Sequence, residues 1–392
     1  MLNGPLSSWP CFSKEEIDAV AAVLQSGQVN YWTGEEGRLF EREFAERMGA
    51  RHAVALMNGT VALDLALKGI GIGQGDEVIV SPRTFIASVS CVVNAGAKPV
   101  FADVNPDSGN ITAETIEAVL TPRTRAIIPV HLAGWPCNMT AMMALADAHG
   151  LAVIEDCAQA HGARHRGRSV GSFGRVGAWS FCQDKIMTTG GEGGMVTTND
   201  PDLWSRMWSY KDHGKSWSAV YERQHPPGYR WVHESFGTNW RMLELQAVIG
   251  RIQLGRLDSW VEVRNRNALA IAEVAARHAG VLRTPMPDPR DTHAYYRFHA
   301  YVRPEALRAG WDRDRIIAEI NARGGGALSG GCGEVYREKA FEAIGMQLER
   351  PLPAAHRLGE TSIALLTHPT LSQSDIDQIR DALDTVLLEA AR

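Results

Sequence analysis

The sequence predicts an α/β protein: a mostly parallel sheet in a large domain, followed by a smaller α+β C-terminal domain. Three observations carry this. From His52 onward, short β-rich runs alternate with helical patterns. The runs are apolar nearly throughout, as strands covered on both faces are. Beyond about Met242 the alternation gives way to one long helical region and then to a mixture of strands and helices. The division is placed between residues 255 and 256, giving a large domain 1–255 and a small domain 256–392. A length of 392 residues fits two or three domains of about 150 residues each. With 45% hydrophobic residues the chain can bury a substantial core.

Taken in order, Ser13-Lys14-Glu15-Glu16 is a capping box that opens a helix running to about Ser26. A second amphipathic helix spans Glu35 to Met48 and stops at Gly49. Strands follow at Ala53–Met57, Glu77–Val80, Pro99–Val104, Ala126–Val130 and Leu151–Glu155. Helical patterns lie between them at Thr60–Gly69, Phe85–Ala95, Thr112–Leu120 and Met139–Ala148. Ligands on such sheets bind outside the carboxyl ends of the strands. Asn58, Ser81, His131 and Asp156 all follow strand ends, so they could converge there. After Lys185 a strand is expected at Met195–Thr197 and a helix at Asp202–Tyr210. The polar, aromatic stretch Lys211–Thr238 has few periodic signals and reads as a functional loop or arm. A helical region covers Met242–His278, and the small domain holds a strand at Phe298–Val302 and helices at Arg313–Ala322 and Ser374–Glu389.

Bulk properties narrow the function. Asp and Glu outnumber Lys and Arg, 45 to 40, and no basic run appears, which argues against a nucleic-acid partner. No apolar run approaches the roughly 20 residues that span a bilayer. Met1–Cys11 shows no export signal, so a cytoplasmic location is expected. The six cysteines are scattered, without a C-x-x-C pair or metal-ligand spacing, and read as reduced thiols. His131, His213 and His293 are too dispersed to suggest a metal site.

One constellation carries chemistry. Lys185 lies between a strand and the glycine-rich stretch Gly190–Gly194. It reads either as a surface lysine in a tight loop or as a partly desolvated amine able to attack a carbonyl. Asp156 ends a strand that should be buried, where a carboxylate needs a strong partner. That partner is either a cap or salt bridge, or a protonated pyridine nitrogen. Gly59-Thr60 opens a helix directly after a strand, as an ordinary helix start or as a phosphate cradle. Phe85 reads either as a core aromatic or as a ring lying flat on a ligand. A lysine, a strand-end carboxylate and a phosphate-sized cradle are the groups that pyridoxal 5′-phosphate (PLP) chemistry requires. The glycines lack a following Lys-Ser/Thr, which argues against nucleotide hydrolysis.

The joint order of the motifs resembles the DegT/StrS family of PLP-dependent sugar aminotransferases. The matching segments are Asn58-Gly59-Thr60, Gly73–Val80, Thr84-Phe85, Pro129–Gly134, Glu155–Ala163, Ser180–Lys185, Gly191–Gly194 and Gly237–Met242. The resemblance implies an aspartate aminotransferase-like (type I PLP) fold. It implies that Lys185 attaches the cofactor and Asp156 pairs with its ring nitrogen. Gln159 would approach the ring hydroxyl, Phe85 would stack on the ring, and Gly59, Thr60 and Ser180 would hold the phosphate. Asn239 would reach the same phosphate from the neighbouring subunit of a homodimer. Two departures stand out: Arg83, where a small or aromatic residue is usual, and the glycine-rich Gly324–Tyr336 segment in a region that helps line the sugar pocket.

The expected reaction moves an amino group from L-glutamate to a nucleotide-linked 3- or 4-keto-6-deoxyhexose. Deoxyamino sugar biosynthesis, lipopolysaccharide O-antigen included, is the setting this implies. Arg83, His131, Lys215 and Arg230 are the candidates for substrate contacts. The runner-up is a keto-cyclitol aminotransferase. A sugar 3-dehydratase of the same family would carry a histidine in place of Lys185. A regulator that only binds cofactor would need a DNA-reading element that the chain lacks.

Overall fold

The computed structural model of the protein describes residues 6–392. Residues 1–5, part of the stretch read for an export signal, lie outside them. Ser13 and Glu16 form the expected capping box, and α1 (Lys14–Ser26) follows. α2 (Glu36–Met48) ends at Gly49, whose φ of 69° favours a residue without a Cβ.

The alternating region is built as expected: β1 (His52–Leu56), α3 (Gly59–Ile70), β2 (Glu77–Val80), α4 (Ala87–Asn94), β3 (Lys98–Phe101), α5 (Ala113–Glu117), β4 (Thr124–Ile128), α6 (Met139–His149) and β5 (Ala152–Asp156). A short hairpin, β6 (Arg164–His165) and β7 (Arg168–Ser169), precedes β8 (Val176–Ser180) and β9 (Gly194–Thr198). Then come α7 (Pro201–Lys211), α8 (Trp217–Tyr221) and the long α9 (Glu244–Arg277). The C-terminal part holds β10 (Leu282–Arg283), β11 (Phe298–Val302), α10 (Arg313–Ala322), α11 (Lys339–Ala343), α12 (Pro353–Thr361), β12 (Ser362–Leu365) and α13 (Gln373–Ala390).

The main sheet has seven strands in the order β1-β9-β8-β5-β4-β2-β3. Neighbours from β3 through β8 are parallel, while β9 runs antiparallel to both β8 and β1. The reversal has a simple cause. β8 and β9 are joined by the Lys185 loop without a crossover helix, and a parallel return would need one. Side chains alternate between faces. Val78 and Val80 of β2 join a core with α3, α4 and α7, while Ile79 joins Ile116 of α5 and Met142 of α6 on the other face. A third core sets Phe44 against Trp179 at 5.2 Å and Phe181 at 5.5 Å.

β10, β11 and β12 form an antiparallel sheet of their own. α9 serves both regions. Its Leu254, Leu257 and Val261 pack into the core of Phe40 and Phe44, whereas Ala268, Ile271 and Val274 pack with β11 and β12. We propose that the two domains meet along this helix, at the expected division between residues 255 and 256. Among the described residues no helix is long and apolar enough to cross a membrane.

Candidate active site

Residues just past the C-terminal ends of β1, β5 and β8, with the loop after β8, line a cavity of about 480 Å³. Gly59, Thr60, Phe85, Asp156, Gln159, Ser180 and Lys185 all border it. Seven of the residues singled out in the sequence thus share one space. Close packing brings the start of α3 here. A Cβ on Gly59 would sit 2.6 Å from the Ser180 Cβ, and one on Gly194 would sit 2.2 Å from the Asn58 carbonyl oxygen. Glycine at both positions lets the helix start rest against β8 and β9. Asn58 caps α3 by accepting from the Val61 amide at 3.0 Å. The amides of Gly59 and Thr60, first in the helix, have no intrahelical acceptor, and the helix dipole adds partial positive charge. With Ser180 beside them they make an anion cradle.

Asp156 is 5% exposed at the end of β5. Its Oδ2 accepts from Ser88 Oγ at 2.6 Å and its Oδ1 from the Ala158 amide at 3.1 Å. Neutral hydrogen bonds contribute about 0.5–1.5 kcal/mol each. A buried carboxylate without a counter-charge is penalised by several kcal/mol, so two such bonds leave it short of a cation. Burial pushes its pKa up, only partly offset by Ser88, Ala158 and the more distant charges of Lys185 and His131. A protonated ring nitrogen would supply the missing charge.

Lys185 Nζ lies 3.5 Å from Asp184 Oδ1 and 5.2 Å from the centre of the Tyr296 ring. Burial disfavours its charged form, but Tyr296, Asp184, Cys182 and Asp156 outweigh this and leave its pKa above the usual lysine value. Tyr296 donates its hydroxyl to Asp184 Oδ2, and Arg297 approaches the same oxygen at 3.9 Å. The lysine main chain is fixed too, since Trp9 Nε1 donates to its carbonyl at 2.9 Å. Phe85 is 69% exposed at the cavity and so is not a core residue. α4 begins only at Ala87, two residues beyond the expected start at Phe85. Gln159 accepts from the Ala133 amide at 2.7 Å, which fixes its side chain.

The other expected residues lie elsewhere. Asn239 is outside the cavity lining, in a bridge with Asp212. Lys215 sits 3.6 Å over the Trp32 ring and 3.4 Å from Asp212 Oδ1. Arg230 is exposed in the Lys211–Thr238 segment. His131 is fully buried, its Nε2 3.2 Å from Glu155 Oε2 and its Nδ1 accepting from the Cys137 amide at 3.0 Å. Glu155 also accepts from the Gly171, Phe173 and Gly174 amides. This buried network holds the end of β5 from which Asp156 projects. Arg83 is buried outside the cavity lining.

Sequence reasoning missed Ser88, Asp184 and Tyr296. Thr84 precedes α4 and Ser88 is the second residue of that helix. Their hydroxyls lie 2.6 Å apart, and Ser88 continues to Asp156.

These residues fit PLP: a lysine on the cavity wall, a buried carboxylate short of a cation, and a helix start for a phosphate. Known proteins agree. The sequence matches the model of the DegT/DnrJ/EryC1/StrS aminotransferase family over residues 10–384. An aminotransferase structure from Psychrobacter cryohalolentis is 59% identical, with a TM-score of 0.97 over 98% of this chain and 99% of that one. The dTDP-3-amino-3,4,6-trideoxy-alpha-D-glucose transaminase of Streptomyces venezuelae is 38% identical, over 94% of this chain and 92% of its own length. The GDP-perosamine synthase of Caulobacter vibrioides is 37% identical, over 91% of this chain and 92% of its own length. With its family model spanning nearly the whole chain and its cavity fitted to the cofactor, the protein belongs to the DegT/DnrJ/EryC1/StrS family and is a PLP-dependent aminotransferase of the type I fold.

Proposed function

We propose that the enzyme moves an amino group from L-glutamate to the keto carbon of a nucleotide-linked 3- or 4-keto-6-deoxyhexose. The likeness to two relatives named for GDP-perosamine and dTDP-3-amino-3,4,6-trideoxy-alpha-D-glucose, each over more than nine-tenths of this chain, carries the reading. We place the reaction in the cytoplasm, in deoxyamino sugar synthesis for surface polysaccharides such as lipopolysaccharide O-antigen.

Bound PLP supplies an electron sink for the carbon that bears the amino group. Gly59, Thr60 and Ser180 would hold its phosphate, Gln159 would approach its ring hydroxyl, and Phe85 would stack on its ring. Asp156 keeps the ring nitrogen protonated. Lys185 Nζ would anchor the cofactor and, once free of it, would carry a proton to and from the reacting carbon. Lys215 and the exposed Arg230 are proposed to meet the acceptor's diphosphate.

The site is proposed to be completed in a homodimer, with Asn239 reaching the phosphate of the neighbouring subunit. Tyr229 at 73%, Trp231 at 81% and Phe236 at 99% exposure support this reading, because an arm carrying three such aromatics calls for a covering surface. Mixing inactive Lys185→Ala with an inactive Asn239→Ala variant is expected to restore part of the activity. An active monomer at assay concentration would refute the shared site.

The substrate test is spectroscopic. L-glutamate is expected to convert the bound cofactor to its amino form, and a 3- or 4-keto-6-deoxyhexose nucleotide to convert it back. Return only with free keto-cyclitols replaces this reading with the cyclitol one.

A further inference from the structure

Arg83 is 1% exposed, yet its Nε and one terminal guanidinium nitrogen, Nη1, have no hydrogen-bond partner among the described residues. The ionisable groups that influence it are Tyr301 and Cys332, neither of them a carboxylate. Its guanidinium lies 5.9 Å from the centre of the Tyr301 ring. His299, also within its influence, is held neutral, its pKa lowered to about 3 by burial and then by Arg83 and Arg297. The nearby acids are engaged elsewhere: Asp107 with Arg283, and Glu334 with Tyr336, Arg337 and His356. A guanidinium buried without a counter-charge is among the least favourable arrangements a fold can hold.

Its position connects it to the site. Arg83 occupies the turn after β2, at the ligand edge of the sheet, and the next two residues, Thr84 and Phe85, line the cavity. Ser81 Oγ accepts from the Arg83 amide at 3.2 Å, which pins the turn. The Gly324–Tyr336 segment docks on the same turn, the Val335 amide donating to the Pro82 carbonyl at 2.8 Å. Gly330 and Gly331 have φ of 88° and 86°, and Gly331 and Cys332 are exposed. The two places where the sequence departs from the family pattern therefore meet in space. Beside the buried cation the chain sets a thin glycine-rich layer whose one side chain between Gly330 and Gly333 is that of Cys332.

We infer that Arg83 is the recognition group for a substrate carboxylate, which reaches it when the Gly330–Gly333 layer moves aside. This rests on the aminotransferase reading above. A planar guanidinium pairs with a carboxylate through two parallel hydrogen bonds. A single cation among neutral neighbours matches one negative charge better than a diphosphate's two. The carboxylate belongs either to the amino donor or to the acceptor sugar.

Calorimetry on the cofactor-loaded enzyme separates these sources. Glutarate stands for the donor. UDP-glucuronate and UDP-glucose, which differ in one carboxylate, stand for the acceptor. Arg83→Ala is expected to weaken glutarate binding by about 30-fold or more, or else to erase a preference for UDP-glucuronate of that size. Arg83→Lys should fall between the two. Should Arg83→Ala lose the cofactor's absorbance, Arg83→Lys and Arg83→Gln take its place. Unchanged binding in both arms, or no carboxylate-dependent binding by the native enzyme, overturns the inference. If neither UDP-sugar binds while the glutarate response still depends on Arg83, the nucleotide-sugar reading fails and this one stands.

Discussion

Replacing Lys185 by alanine will lower turnover by at least about 10³-fold and remove the visible absorbance of lysine-bound cofactor. Seven lysines occur in the chain, and Lys185 alone borders the cavity. Its amine is held between Asp184 and the Tyr296 ring, and its carbonyl by Trp9. The side chain is therefore placed before any substrate arrives. The fold should survive, because the neighbouring strand pairing of β8 with β5 and β9 uses main-chain groups alone. A variant that keeps both the visible band and turnover within tenfold of native would show that another amine does the work.

Asp156→Asn should retain cofactor but lose roughly 10²- to 10³-fold in rate, the scale of one preorganised electrostatic group. The amide is nearly isosteric, and its oxygen can still accept from Ser88 Oγ. It carries no charge, so nothing holds the ring nitrogen protonated and the electron sink weakens. The loss should appear in the half-reaction with L-glutamate, measured by stopped-flow absorbance. A near-native half-reaction rate in that variant rules out the assigned role. Because Ser88 and Thr84 form the chain that reaches Asp156, Ser88→Ala should move the same rate in the same direction by a smaller factor.

What the sequence made legible follows from chemistry tied to position. Asp156 and Gly59-Thr60 stood at strand ends, where ligands bind in α/β sheets, and Lys185 stood beside a glycine run between two strands. All border one cavity. Most elements were readable because their apolar periodicity was long enough, and α1 and β2 match residue for residue. β12 and α12 escaped notice because four- and nine-residue elements in the small domain give little periodic signal. The antiparallel direction of β9 depends on the length of its connection rather than on composition.

Long-range contacts were the hidden part. Tyr296 reaches Asp184 across 112 residues, and Ser88 reaches Asp156 across 68. No local pattern encodes either pairing. Phe85 was open between core and ligand until its exposure placed it at the cavity. His131 stood at a strand end like the others, yet its ring turns inward to Glu155. Strand ends supply candidates, and side-chain direction then sorts them into those that face the ligand and those that hold the sheet. Arg83 was visible as a departure, but only packing reveals that two of its guanidinium nitrogens have no hydrogen-bond partner among the described residues.

Reduction of the loaded enzyme with borohydride, followed by peptide mapping, tests the central assignment most directly. Reduction fixes the cofactor on the lysine that holds it. The expected result is one pyridoxyl group per chain, on Lys185. A label on Lys14, Lys68, Lys98, Lys211, Lys215 or Lys339, with Lys185 unmodified, would contradict the assignment of this cavity as the catalytic site.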